Sequence, residues 1–230
     1  MFRLSRGRLL THLAMAVMST LGCVVTVAVK PAFTPAHVVA LGLAYVSLIQ
    51  LALTLLVGPW QLLAKKRRTP VNIDLRRDIG IWAALTGTAH VILGFQLHME
   101  GRILHFFFAK NRLRPLINLF GFSNYVGLAA TALLLVLLMI SNDVSLRWLR
   151  ARTWKLIQRF NYALFPLVLL HTVGYQFLIN RERIMVVLTL GLAFAVLIYQ
   201  VRGFGLYRAR RSAFADTGER DQRGDLTGRD

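Results

Sequence analysis

Apolar runs of about 20 residues, the length a helix needs to cross the hydrocarbon core of a bilayer, recur along almost all of this 230-residue chain. That recurrence leaves little sequence for a soluble domain. The runs near 9–29, 37–62, 78–98, 121–141, 160–179 and 184–202 predict six spans joined by short basic connections. They are continuously apolar rather than alternating, which excludes a strand barrel; a lipid-facing segment must satisfy its backbone hydrogen bonds internally. The expected fold class is all-α, a six-helix transmembrane bundle over 9–202 with a short N-terminal stretch, 1–8, before it. A basic tail, 203–230, follows, and its Gly, Asp, Arg and Thr from about Ser212 predict a disordered end. The tail is too short for a flavin or nucleotide domain.

Arg3, Arg6 and Arg8 precede an apolar stretch reaching Gly22-Cys23, a pattern also found in secretory and lipoprotein signals. Here the run continues through Val24, Val25, Val27 and Val29, so it is long enough to span. Cys23 is the single cysteine, which rules out an intrachain disulfide and a thiolate cluster for zinc or iron–sulfur.

Orientation follows from charge, because cytoplasmic connections are enriched in Lys and Arg. With the N-terminus inside, 21 of the 28 Lys and Arg fall on the cytoplasmic side: the first three arginines, the group from Lys65 to Arg77, the group from Arg147 to Arg159, and the tail. Lys30, Arg102, Lys110, Arg112, Arg114, Arg181 and Arg183 fall on the other. An even number of spans then places both termini inside, N-in/C-in, in a bacterial inner (plasma) membrane. The net charge of +18 is accounted for by topology and anionic lipid headgroups, and no nucleic acid is expected as a partner. Residues 99–120 form the longest outer connection. Their apolar stretch from Ile103 to Phe108 is too short to cross and reads as an interfacial segment that shapes an outer docking face.

Ionisable side chains inside a span are costly and mark candidate sites. The middles of these spans hold almost no Asp, Glu, Lys or Arg, which argues against transport coupled through buried carboxylates. Histidine is the exception: His90 lies midway along the third span and His171 midway along the fifth. His90 follows Arg77 by 13 residues and His171 follows Arg159 by 12, about 20 Å and 18 Å of helix. At matched depth the two imidazoles can supply both axial nitrogens of one haem iron. Gly87, Gly94 and Ala83 share a face with His90, and Gly174 lies one turn from His171; such small residues leave room for a porphyrin but equally serve simple helix packing. His12 and His37 stand at ends of the first two spans, and His98 and His105 at the outer end of the third and beyond.

Two stretches carry a family resemblance: Arg76-Arg77-Asp78-Ile79-Gly80-Ile81-Trp82 leading to Ala89-His90, and Trp154-Lys155-Leu156-Ile157-Gln158-Arg159-Phe160-Asn161-Tyr162 leading to Leu170-His171. Over roughly 40–200 the chain resembles the ferric reductase-like transmembrane domain family. The resemblance implies haem b and transmembrane electron transfer, an oxidoreductase component with His90 and His171 as axial ligands of the haem iron. Many relatives carry two histidines about 13 residues apart on span five, stacking two haems. Here the positions 13 before and 13 after His171 are Gln158 and Ile184, and 13 after His90 is Ile103, so one haem is expected. A second, using His98 or His105, lacks an evident partner on span five. Arg77 and Arg159, at the inner ends of the haem-bearing helices, can bind propionates or a flavin phosphate, and topology alone also accounts for them.

The expected function is passage of electrons from a cytoplasmic flavin reductase, or from FMN or FAD bound non-covalently or on a partner, through haem to an outer acceptor or outer-side redox partner. Membrane lipid is the other expected partner. Two readings stand beside it: a cytochrome b subunit of a periplasmic oxidoreductase complex, and a non-redox membrane transporter or assembly factor with the histidines as interhelical hydrogen bonds.

Overall fold

A computed structural model describes residues 5–30, 34–64, 73–97, 101–109, 114–178 and 183–227. The described chain is almost wholly helical: α1 (Arg6–Val29), α2 (Pro35–Leu63), α3 (Ile73–Leu97), α4 (Leu119–Met139), α5 (Asp143–Gln158), α6 (Asn161–Leu178) and α7 (Arg183–Thr227), with a short 3-10 turn at Ile103–Phe106. Among the described residues no strand occurs, only an isolated bridge between Phe108 and Pro115. The helix starts are set locally. Ser5, Asn118 and Asn142 each cap the helix that follows by accepting an amide N–H, from Arg8, Gly121 and Ser145, and Pro35 sits in the first turn of α2, where its missing N–H costs nothing.

Among the described residues five helices are long and apolar enough to cross a membrane, namely α1, α2, α3, α4 and the Met185–Ala209 part of α7. The fifth expected span is α6, only 18 residues long and carrying Asn161, His171 and Gln176 among its apolar side chains. Expected and observed helix limits differ by five residues or fewer, with one exception. The backbone of α7 stays helical to Thr227, through the stretch whose composition predicts disorder. Extending an existing helix costs far less than nucleating one, and a spanning segment supplies the nucleus. The basic connection after α4 is itself helical: α5 runs across it and breaks at Arg150, which adopts a left-handed φ of 58°.

The core gathers on α2, which packs against α1, α3, α6 and α7. Leu48, Leu51 and Leu55 of α2 meet Ala83 of α3, Ala130 and Leu137 of α4, Leu164 and Phe165 of α6 and Val196 of α7. Polar pairs join the helices inside this apolar packing. The fully buried Gln50 donates to Ser19 of α1 and accepts from Thr86 of α3, and such interhelical bonds in lipid contribute about 0.6 kcal/mol each. Pro59 within α2 leaves the carbonyl four residues earlier without its helical donor. That carbonyl, Leu55, accepts instead from Gln200 Nε2 of α7 at 2.6 Å, and Gly203 lets α7 approach because a Cβ there would stand 2.9 Å from the Pro59 ring.

The connection beyond α3 folds over one end of the bundle. Phe106 and Phe107 turn inward and are buried, while Ile103 and Leu104 stay exposed. Phe106 contacts Phe95 of α3 edge-on at 5.2 Å and stacks on Phe120 of α4 at 6.2 Å. This aromatic cap marks one end of the molecule; the arginine-bearing start of α3 and the helix α5 mark the other.

Candidate functional site

His90 and His171 occupy corresponding places in their helices. Each stands seven residues before the final residue of its helix, Leu97 in α3 and Leu178 in α6, about 10 Å of helix in both cases. Both therefore lie nearer the cap than the arginine end. Their anchors correspond as well: His90 Nδ1 bonds the Ala40 carbonyl of α2, and His171 Nδ1 the Ser123 carbonyl of α4, each at 2.8 Å. Ala40 and Ser123 belong to the second turns of their helices. A carbonyl oxygen only accepts, so each ring carries its proton on Nδ1 and has Nε2 as its basic nitrogen. Metal-ligating imidazoles are oriented by the same kind of bond.

The small residues around them divide by role. Gly127 of α4 makes room for the His171 ring, since a Cβ there would stand 2.5 Å from Nδ1 and 2.7 Å from Cε1. Gly174 gives way to the Ser123 hydroxyl. Gly87, by contrast, seats α3 against Ser47 and Leu134, where a Cβ would come within 2.8 Å and 3.0 Å, so it serves helix packing. Ala83 belongs to the core, and Gly94 has open space beside it. Helices α3 and α6, which carry the two histidines, are not packed along one another; α2 and α4 lie against both. Tyr175, one turn beyond His171, tilts its ring over the imidazole with centroids 5.0 Å apart.

At the arginine end a cavity of about 680 Å³ opens between α3, α4 and α5, with Gly80, Ala83 and Leu137 among its walls and Arg76, Arg77, Lys155 and Arg159 around it. Gln158, 13 residues before His171, also lines it and donates to Ser141 at 3.2 Å. Arg77 pairs with Asp143 at 2.6 Å and Asp74 at 3.3 Å, and its guanidinium holds the Asp143 carboxyl below the usual carboxylate range. Two guanidinium nitrogens here, Arg77 Nε and one terminal nitrogen of Arg76, are buried without an acceptor among the described residues. Buried donors of that kind fit the oxygens of a carboxylate or phosphate.

Beside the cavity lies an ion pair that the sequence reading did not single out. Arg8 of α1 binds Asp78 of α3 bidentately, Nε to Oδ2 at 2.9 Å and a terminal nitrogen to Oδ1 at 2.7 Å, and the Asp78 side chain is fully buried. His12, expected as a residue of the membrane boundary, joins this group: its Nδ1 accepts from Trp82 Nε1 at 3.0 Å and its Nε2 lies 3.8 Å from Asp78. A polar residue at the start of an apolar run was the available signal. His37 pairs locally with Thr34 at the start of α2. His105 sits in the 3-10 turn of the cap, and His98 lies outside the described residues. Among the described residues, no group of three or more His, Cys, Asp or Glu could hold a bare metal ion.

Helices of spanning length, joined by buried polar bonds and bearing two carbonyl-anchored histidines, define a multi-pass α-helical membrane protein. Residues 43–169, more than half of the chain, match the ferric reductase like transmembrane component family, and the chain belongs to that family, which makes it a membrane redox component. His90 lies inside the matched segment and His171 two residues past its end. No curated protein matches the chain.

Proposed function

We propose that the protein is a six-span, N-in/C-in electron carrier of the bacterial inner membrane that holds one haem b between His90 and His171. The observation that carries the reading is the paired anchoring of the two rings: both Nδ1 atoms bond a backbone carbonyl one turn into a neighbouring helix, at equal distances from the ends of their own helices. A porphyrin iron needs two neutral imidazoles offering Nε2 at one height, and carbonyl bonds at Nδ1 supply the tautomer and fix the planes. Gly127 supports the reading by seating the His171 ring against α4. In this reading α6 is the sixth crossing, and its Asn161, His171 and Gln176 are the polar cost of carrying a ligand.

When bound, haem supplies a one-electron couple inside the bilayer. The chain's part is to hold and tune it. His90 and His171 would hold the iron, the Ser123 and Ala40 carbonyls would set ligand basicity, and the apolar side chains of α2 and α4 would keep water out. The cavity at the arginine end would suit a flavin phosphate, with Arg76, Arg77 and Arg159 as donors, which makes that end the docking side for FMN, FAD or a cytoplasmic flavin reductase and the aromatic cap the side for an outer redox partner. Arg77 is already engaged by Asp74 and Asp143, so its contribution to an anion is the Nε donor.

The test is the absorption spectrum of protein purified from haem-replete cells. Wild type is expected to show a b-type band reducible by dithionite, His90→Ala and His171→Ala each to lose it, and His37→Ala to keep it. Equal haem in all of them, or none in wild type, overturns the assignment.

A further inference from the structure

The cap is tied to the His171 ring through two side chains. Asn124, buried in α4, donates from Nδ2 to the Phe106 carbonyl of the cap at 2.9 Å. Because a carbonyl cannot donate, this bond fixes the orientation of the amide and leaves Oδ1 as an acceptor. Oδ1 accepts from the Tyr175 hydroxyl. The Tyr175 ring in turn makes a tilted contact with the His171 imidazole and another with Phe120, which stacks on Phe106. Cap and imidazole thus meet at Tyr175, whose hydroxyl is the directional end of the hydrogen-bonded link to the cap and whose ring contacts the imidazole. The anchor of the imidazole belongs to the same turn, since the carbonyl that accepts from His171 is that of Ser123, the residue before Asn124. Tyr125, the residue after, donates to the Phe107 carbonyl at 2.7 Å. Three consecutive residues of α4 therefore hold the ring and the cap together.

We propose that Asn124 and Tyr175 are positioning residues that couple the aromatic cap to the imidazole of His171, so that whatever moves the cap changes how that imidazole donates to its metal. The proposal rests on the haem reading above. Side-chain packing alone would need Tyr175 only as a ring; the hydroxyl and the amide it meets add a directional link running from the backbone of the cap to the histidine. A displaced Phe106 carbonyl releases Asn124, which frees the Tyr175 hydroxyl and lets the imidazole tilt away from Ser123. The Nδ1–H bond then weakens, the ligand donates less, and the ferrous form gains relative to the ferric.

Coupling between two sites is reciprocal, which supplies the test. In full-length protein in lipid nanodiscs, hydrogen exchange of the amides of His105, Phe107 and Phe108, all bonded within the cap, is measured with and without haem. One hydrogen bond's worth of coupling corresponds to a slowing of about fivefold on haem loading, and Tyr175→Phe should abolish the difference while retaining haem. The same factor appears as a rise of about 40 mV in midpoint potential, at 59 mV per tenfold for one electron, in Tyr175→Phe and also in Phe106→Ala, which touches only the cap. Combining the two should add nothing further. Haem-bearing wild type whose cap exchanges at the same rate with and without haem, or a Phe106→Ala potential equal to that of wild type, overturns the coupling and leaves the ligand assignment standing. A wild type without haem overturns both. Should Tyr175→Phe not fold, the wild-type exchange difference and the Phe106→Ala potential decide the matter alone.

Discussion

The two ends of the bundle are built from different materials. The arginine end is organised by charge: Arg8 grips Asp78, Arg77 spans Asp74 and Asp143, and cations ring a cavity. The cap end is organised by shape and neutral hydrogen bonds: Phe95, Phe106, Phe107 and Phe120 interlock, and Asn124, Tyr125 and Tyr175 bind carbonyls and one another. Charge tolerates small displacements, because Coulomb attraction falls slowly with distance; interlocked rings and glycine notches do not. The two ends should therefore fail under opposite kinds of substitution.

Three tests set that contrast at risk. The largest effect is expected from Arg8→Ala, which leaves the buried Asp78 carboxylate without its partner and should cost about 3–5 kcal/mol. Thermal melting of the protein in detergent checks it, and the double variant Arg8→Ala with Asp78→Asn should recover much of the loss. If Arg8→Ala melts like wild type, charge is not what holds the arginine end. Next comes a pair of glycines. Gly127→Ala drives a methyl into the His171 ring and should cost about 1–3 kcal/mol. Gly80→Ala at the arginine end meets only Thr54 Cγ2 at an ordinary 3.7 Å and should be silent. Equal sensitivity of the two glycines would erase the distinction between the ends. The smallest effect concerns acid. Arg77 depresses the Asp143 carboxyl, so that contact stabilises the fold at every pH above the ordinary Asp value of about 3.9 and is lost as pH falls through the depressed value. Asp143→Asn should flatten the melting temperature against pH in that acid window, its small loss relative to wild type being full at neutrality and vanishing once the wild-type carboxyl is protonated.

The helices were legible in the sequence because lipid imposes one rule on every span, an apolar run of fixed length, and that rule is local. His90 and His171 were legible for the same reason, as polar residues in apolar runs. Asn124, Gly127 and Tyr175 carried comparable signals, a polar residue and a glycine in α4 and a tyrosine one turn past His171, yet their meaning depends on how α4 is set against α6. Neither helix encodes that register alone; it emerges from Gly174 meeting Ser123 and Gly127 meeting His171. The helicity of α5 escaped notice because its basic residues read as a topological marker, which says on which side a segment lies and not how it folds. Asp78 escaped because its partner, Arg8, is 70 residues away.

The bond between Gln200 and the Leu55 carbonyl has a bearing on where this domain ends. The family match stops at 169, yet the opening that Pro59 makes in the most central helix is closed by a side chain from the last one. A chain halted at the family boundary would offer that oxygen to hydrocarbon, where nothing can satisfy it. The closing helix thus completes the packing of the central one, and the membrane domain reaches structurally past the family boundary to Gln200.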